Sequence, residues 1–217
     1  MGEKKTLTSV EVPPAFTDAF AAAESHVSEL FEAFERRPEE GVVRVGGERY
    51  VLMRCESLYG AWFEALEASF GPKPAKEFIY NTAREIGRSD CRAFSARLNL
   101  TDGVERLSSG PVHFSHAGWA FVQILEDSTP TNDDSFFLHY VHPNTFESEV
   151  LKKRGVTPKH VACHFSAGYS AGWCSEAFNV EVHGRELHCV AVGDARCEFI
   201  MATASKLDEH EARLMRR

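Results

Sequence analysis

Three cysteines and a glutamate crowd the C-terminal stretch CHFSAGYSAGWCSEAFNVEVHGRELHCVAVGDARC: Cys163, Glu186, Cys189 and Cys197. Three thiolates and a carboxylate suffice to close a tetrahedral site, and soft thiolates favour Zn²⁺ over hard cations. If the four meet, a strand pair turning at Gly193-Asp194 must fold back onto the segment that begins at Cys163. A full protein shell leaves no open coordination position, so the metal would be structural and its binding would be folding energy for the 186–197 loop. Spacing alone leaves two readings open, a zinc site or buried reduced thiols beside a surface glutamate, because no CxxC knuckle is present. His164 and His188 adjoin two of the cysteines as rival ligands. Cys55, Cys91 and Cys174 fall on or beside apolar helix faces and read as packing residues.

The 217-residue chain has a net charge of −8, which argues against a nucleic-acid surface. No apolar run reaches the length of a membrane span and the N-terminus lacks an apolar signal core, so the expected location is cytoplasmic. Six cysteines in such a compartment are not a disulfide framework.

The first half reads helical. Phe16, Phe20, Ala23, Val27, Leu30 and Phe34 recur at helical spacing and predict a helix from Pro14 to Arg37, stopped by Pro38 and Gly41. GVVRVGGERYVLM predicts a hairpin turning at Gly46-Gly47. Further helices are predicted over 57–70, 74–86 and 89–98. In the second half, the aromatic-rich residues 112–125 and 135–142 predict strands. Asn144 is a candidate cap for a helix over 145–153, residues 161–178 predict a buried helix, and 180–190 with 197–202 predict a strand pair. A charged helix is expected from Lys206 to Arg217. The class is α+β: N-terminal helices and a hairpin, then a mostly antiparallel sheet with packed helices.

Motifs for catalysis are absent: there is no GxxxxGK[ST], no GxGxxG and no GxSxG. Strand alternation over 112–125 and 135–142 would turn His113 from His116 and His139 from His142, which leaves solvent-facing histidines or a pocket pair as alternatives. The aromatic second half supplies a core and, within it, an apolar pocket for a small molecule oriented by one or two polar groups. We therefore read the chain as a non-enzyme.

The segment 161–197 resembles the vinyl-4-reductase domain that closes XylR-type sensor modules of aromatic-catabolism activators. GYSAGW at 168–173 resembles that family's GYASGY, and Cys163, Glu186, Cys189 and Cys197 match its three-cysteine, one-glutamate zinc set in order and spacing. Gly110-Pro111 with Gly118, Thr145-Phe146-Glu147 and the hairpin extend the likeness to about residues 41–202. The resemblance implies an α+β ligand-binding fold similar to vesicle-tethering TRAPP subunits, a homodimer, a structural Zn²⁺ beside a buried effector pocket, and relay through a C-terminal linker helix to an AAA+ or kinase output domain. It divides the chain into an N-terminal extension and dimerisation helix (1–40), a ligand-sensing domain (41–205) with a zinc-binding vinyl-4-reductase-like segment (110–203), and the start of a linker helix (206–217).

The implied pocket residues are Phe114, Tyr140, His142, Phe146, Tyr169, Trp173 and Gly184. Where phenol-sensing relatives hold the ligand hydroxyl with a histidine and a tryptophan, this chain has Phe114 and His142, so the expected occupant is a small hydrophobic or aromatic molecule to which His142 donates one hydrogen bond. Trp173 would shrink the cavity and Gly184 would reopen it. The rival expectations are an enzyme acting on a tetrapyrrole or other apolar substrate, and a dimeric adaptor with a bound lipid.

Overall fold

The computed structural model describes residues 7–216, so the extreme ends of the N-terminal tail and of the linker helix lie outside the described residues. Two sheets organise it. A five-stranded sheet has the order β1-β5-β6-β8-β7, with β1 (Val10–Glu11), β5 (Val122–Ile124), β6 (Phe137–His142), β7 (His183–His188) and β8 (Cys197–Ala202). Its pairs are antiparallel except β1 with β5. A separate three-stranded antiparallel sheet joins β2 (Phe34–Arg37), β3 (Val42–Val45) and β4 (Glu48–Tyr50).

The N-terminal helix α1 (Thr17–Glu32) buries Phe20, Ala23 and Val27, as the periodicity predicts. It ends before Phe34, which continues the apolar spacing yet enters β2, where residues 34–37 pair with 45–42. Strand pairing overrides a stripe that was about to run out at Pro38. The hairpin turn is as expected: Val45 pairs with Glu48, and Gly46 and Gly47 both have positive φ, the requirement of a two-residue type I′ loop.

After a π-helical stretch, Glu56–Ala61, comes α2 (Trp62–Phe70). The two helices expected over 74–98 are one, α3 (Pro72–Leu98), which ends at Asn99 in the left-handed conformation. Gly87 does not break it, because a neighbouring backbone packs there. A larger correction concerns residues 112–116. They are not strand but the end of α4 (Gly103–His116), whose start is capped by Asp102 accepting from Val104 N at 2.8 Å and Glu105 N at 3.2 Å. Leu107 and Phe114 then share the buried face two turns apart, and only Val122–Ile124 forms strand. Helix α5 (Phe146–Lys153) is capped by Thr145, not Asn144, in a reciprocal box with Ser148.

The central helix α6 (His164–Phe178) buries all but a few side chains. It is clamped between α3 and the sheet. A Cβ at Gly168 would overlap the Tyr80 carbonyl, one at Gly172 the Arg84 carbonyl, and one at Gly87 the Tyr169 carbonyl, so three glycines let the two backbones touch. On the sheet's opposite face lies α7 (Leu207–Leu214), packed on Phe137, Ile200 and Ala202. Among the described residues no helix is long and apolar enough to cross a membrane.

Candidate metal centre and internal cavity

Cys163 caps the start of α6, Glu186 sits on β7, Cys189 follows that strand and Cys197 opens β8. An irregularity between Glu186 and His188, and Gly193 at φ 108°, bend the connection back. One ligand atom from each of the four lies within 4.8 Å of the others, and all four residues are buried, so the group could hold a metal ion. Cys163 Sγ is 3.7 Å from both Cys189 Sγ and Cys197 Sγ. Glu186 Oε2 accepts from Cys163 N at 2.7 Å, whereas its Oε1 is buried with no partner. Burial, with Cys189 adding to it, pushes the Glu186 carboxyl up to about 9. The alternative of a surface glutamate is thereby removed. Of the rival ligands, His188 stays near the surface and pairs with Asp194 at 3.6 Å. His164 adjoins the cluster but is not among its four members.

Glu147, whose role the sequence did not reveal, anchors the same corner. It is fully buried, accepts from Phe165 N at 2.8 Å and from the Ser166 hydroxyl, and so receives the first turn of α6. Burial pushes its carboxyl up to about 8, opposed by those donors. Its sequence signal was only its place two residues after a helix cap.

A cavity of about 30 Å³ lies between α4, α6 and the sheet. Five expected pocket residues line it: Phe114, Tyr140, His142, Tyr169 and Trp173. Phe146 is placed elsewhere, in a larger surface pocket of about 530 Å³ that also includes Trp119. Gly184 does not widen the cavity. It lets β7 approach α6, since a Cβ there would stand 2.7 Å from the Ala167 carbonyl oxygen.

His142 is fully buried and stacks on Phe114 at 5.5 Å. Its Nδ1 is 2.8 Å from the Phe121 carbonyl oxygen. A carbonyl only accepts, so Nδ1 carries the proton, and burial lowers the imidazole to about 4 and keeps it neutral. Nε2 is therefore a bare acceptor, buried and without a partner. The expected donor is in fact an acceptor. The Tyr140 hydroxyl makes no hydrogen bond of normal geometry, with the Ser170 side chain as its polar neighbour. Trp173 Nε1 is used internally, donating to the Arg106 carbonyl at 2.9 Å.

His113 and His116 share a helix, while His139 and His142 occupy opposite faces of β6, as alternation requires. His139 Nδ1 is 2.8 Å from Asp127 and Nε2 is 2.9 Å from Glu198. Burial opposes protonation here, but the hydrogen bonds to Glu198 and Asp127 win and raise its pKa. A raised folded-state pKa gives stability that is complete below the unfolded value of about 6.5 and lost as pH rises through the folded value. Arg196 on Glu198, Arg213 near Asp127 and His210 over Phe137 are the other charged or titratable groups here. His139→Phe should cost about 2 kcal/mol near pH 6, on the scale of hydrogen bonds to charged groups. In urea melts that gap should shrink at alkaline pH; a pH-independent gap would rule out the charged clasp.

Residues 146–203 match the model of the vinyl-4-reductase domain, within the 110–203 segment expected to have that character. The chain also matches the crystal structure of the phenol-responsive sensory domain of the transcription activator PoxR with phenol, with a TM-score of 0.74, 20% sequence identity, and coverage of 89% of this chain and 94% of that one. The two share a fold. No curated protein sequence matches this chain.

Proposed function

We propose that the chain is the effector-binding module of a transcriptional regulator: it takes a small hydrophobic or aromatic molecule into the cavity, is braced by a structural zinc ion, and acts through an output domain or partner instead of by catalysis. The observation that carries this is the unpartnered Nε2 of His142, a buried acceptor in an otherwise largely apolar chamber. An acceptor left empty there costs about 1–3 kcal/mol, so a ligand bringing one O–H or N–H donor gains what the empty site lacks. The PoxR sensory domain, of the same fold, is described as phenol-responsive.

The donor set supports zinc. Ligands about 2.3 Å from a tetrahedral centre stand roughly 3.8 Å apart, and the sulfur separations here are 3.7 Å. The free Glu186 oxygen supplies the fourth ligand. Bound there, zinc supplies charge that holds three thiolates and a carboxylate in a buried corner. Its position at the first turn of α6 braces the helix that carries Tyr169 and Trp173. Dimerisation through residues 1–40 and relay through 206–217 complete the proposal.

Binding must also move the walls. A cavity of about 30 Å³ is far below the ~150 Å³ of an apolar cavity that admits benzene. An effector acts by preferring the widened state. Calorimetry with phenol, aniline and toluene tests the reading. Phenol should bind better than toluene, and His142→Leu should erase about a tenfold preference while sparing toluene. No heat and no thermal shift from any small aromatic would remove the effector assignment.

A further inference from the structure

Four polar side chains form one hydrogen-bonded chain behind the cavity wall. The Tyr169 hydroxyl donates to Asp90 Oδ2 at 3.0 Å. An oxygen that has given its proton away can only accept, so His113 Nδ1, 3.1 Å distant, donates to it. That leaves His113 Nε2 as an acceptor, and the Tyr50 hydroxyl stands 3.5 Å from it. Burial, with His116 adding to it, lowers His113 to about 4, so the ring is neutral as this order of donors requires. The chain thus runs from Tyr50 at the end of β4, through His113 on α4 and Tyr169 on α6, to Asp90 on α3. Phe31 of α1 packs on both Tyr50 and His113, at 6.4 and 6.0 Å.

Tyr169 is at once a link in this chain and a wall of the cavity. The cavity is too small for an aromatic ring, so an occupant must displace a wall. Phe114, Leu107 and Ile124 meet the cavity through apolar side chains that can slide. Tyr169 cannot shift without altering two hydrogen bonds, and each of those leads to another element. The far end is the three-stranded sheet, where Tyr50 precedes Val51, Leu52 and Met53, which are 77%, 71% and 57% exposed. Movement of β4 therefore repositions the most exposed apolar run of the described residues.

We infer that the Tyr50–His113–Tyr169–Asp90 chain transmits occupancy of the cavity to the N-terminal three-stranded sheet. The inference rests on the effector reading of the cavity. Filling the cavity shifts Tyr169, His113 loses the oxygen to which it donates, and the Tyr50 hydroxyl loses its fixed acceptor. The N-terminal sheet is then a second output surface, on the opposite end of the chain from α7.

Hydrogen exchange on the full chain tests this in two arms. In ligand-free protein, the conservative change Tyr50→Phe should speed exchange of amides 42–50 by about three- to tenfold, the worth of one modest hydrogen bond, and leave β6 and β8 unchanged. With saturating phenol, wild-type amides 42–50 should change by a similar factor, while Tyr50→Phe shows no further change and binds phenol within about threefold of wild type by calorimetry. Unaltered exchange in ligand-free Tyr50→Phe overturns the linkage. Phenol heat with a silent N-terminal sheet overturns the transmission while leaving the effector site standing. Absence of heat from phenol and from every other small aromatic removes the effector reading, and the transmission falls with it.

Discussion

Cys189→Ser should release the bound metal and lower stability by about 5 kcal/mol, roughly half or less of the ~10–16 kcal/mol seen for structural zinc in small peptides. For a chain of this length that is a fall in Tm of about 10–20 °C. The size of the effect reflects how much the centre holds together. Its four residues come from the start of α6, from β7, from the turn after it and from β8, so the metal closes the sheet edge onto the central helix. Without a cation the corner contains three thiols in mutual contact and a carboxylate with one oxygen buried and unpartnered, an arrangement that costs free energy. Serine keeps the volume but is a poor ligand for a soft site. Glu186→Gln should weaken metal binding with less damage to packing. Cys174→Ser, in the same helix but outside the cluster, should keep the metal. Elemental analysis alongside thermal melts decides the matter: stoichiometric metal in Cys189→Ser would refute the centre.

That centre is legible in the sequence because its information is local and chemical. Cys189 and Cys197 flank one turn, Glu186 lies just before them, and thiolates have few other reasons to converge. The buried α6 is legible for a related reason, since a run of small and aromatic residues without a polar stripe has to be surrounded. Residues 112–116 mislead because Val112 and Phe114 alternate with polar neighbours as in a strand. The deciding signal is Asp102, well upstream, which caps a helix and sets the helical period of the residues after it. Phe34 misleads in the opposite sense: its spacing fits α1, but pairing with β3 exists only once the hairpin has formed. The polarity of the cavity cannot be read at all. Whether His142 donates or accepts depends on the Phe121 carbonyl, a backbone atom that carries no sequence signature. Phe146 and Gly184 enter the expected pocket by likeness alone. Side-chain direction places Phe146 in the surface pocket beside Trp119, and backbone proximity explains Gly184.

Gly172→Ala should destabilise the protein by about 3 kcal/mol, at the upper end of the usual cost of overpacking. Two effects oppose each other. Alanine is the better helix former by about 1 kcal/mol, so at an exposed helical site the same change would stabilise. Here the added methyl group meets the Arg84 carbonyl oxygen and carbon, which are backbone of α3 and cannot rotate aside. The clash wins, and α3 and α6 must part. Gly87→Ala presses the same seam from the other side, against the Tyr169 carbonyl, and should cost a similar amount. Combining the two should cost clearly less than the sum, because a seam opened for one methyl group has room for the other. Urea titrations of the single and double variants measure this directly. Separation of the helices also moves Tyr169 and Trp173, which come directly after Gly168 and Gly172 along α6, so ligand affinity should change with stability. A Gly172→Ala protein as stable as its parent would mean that α3 and α6 do not touch backbone to backbone, and the cavity wall they position would then have to be drawn differently.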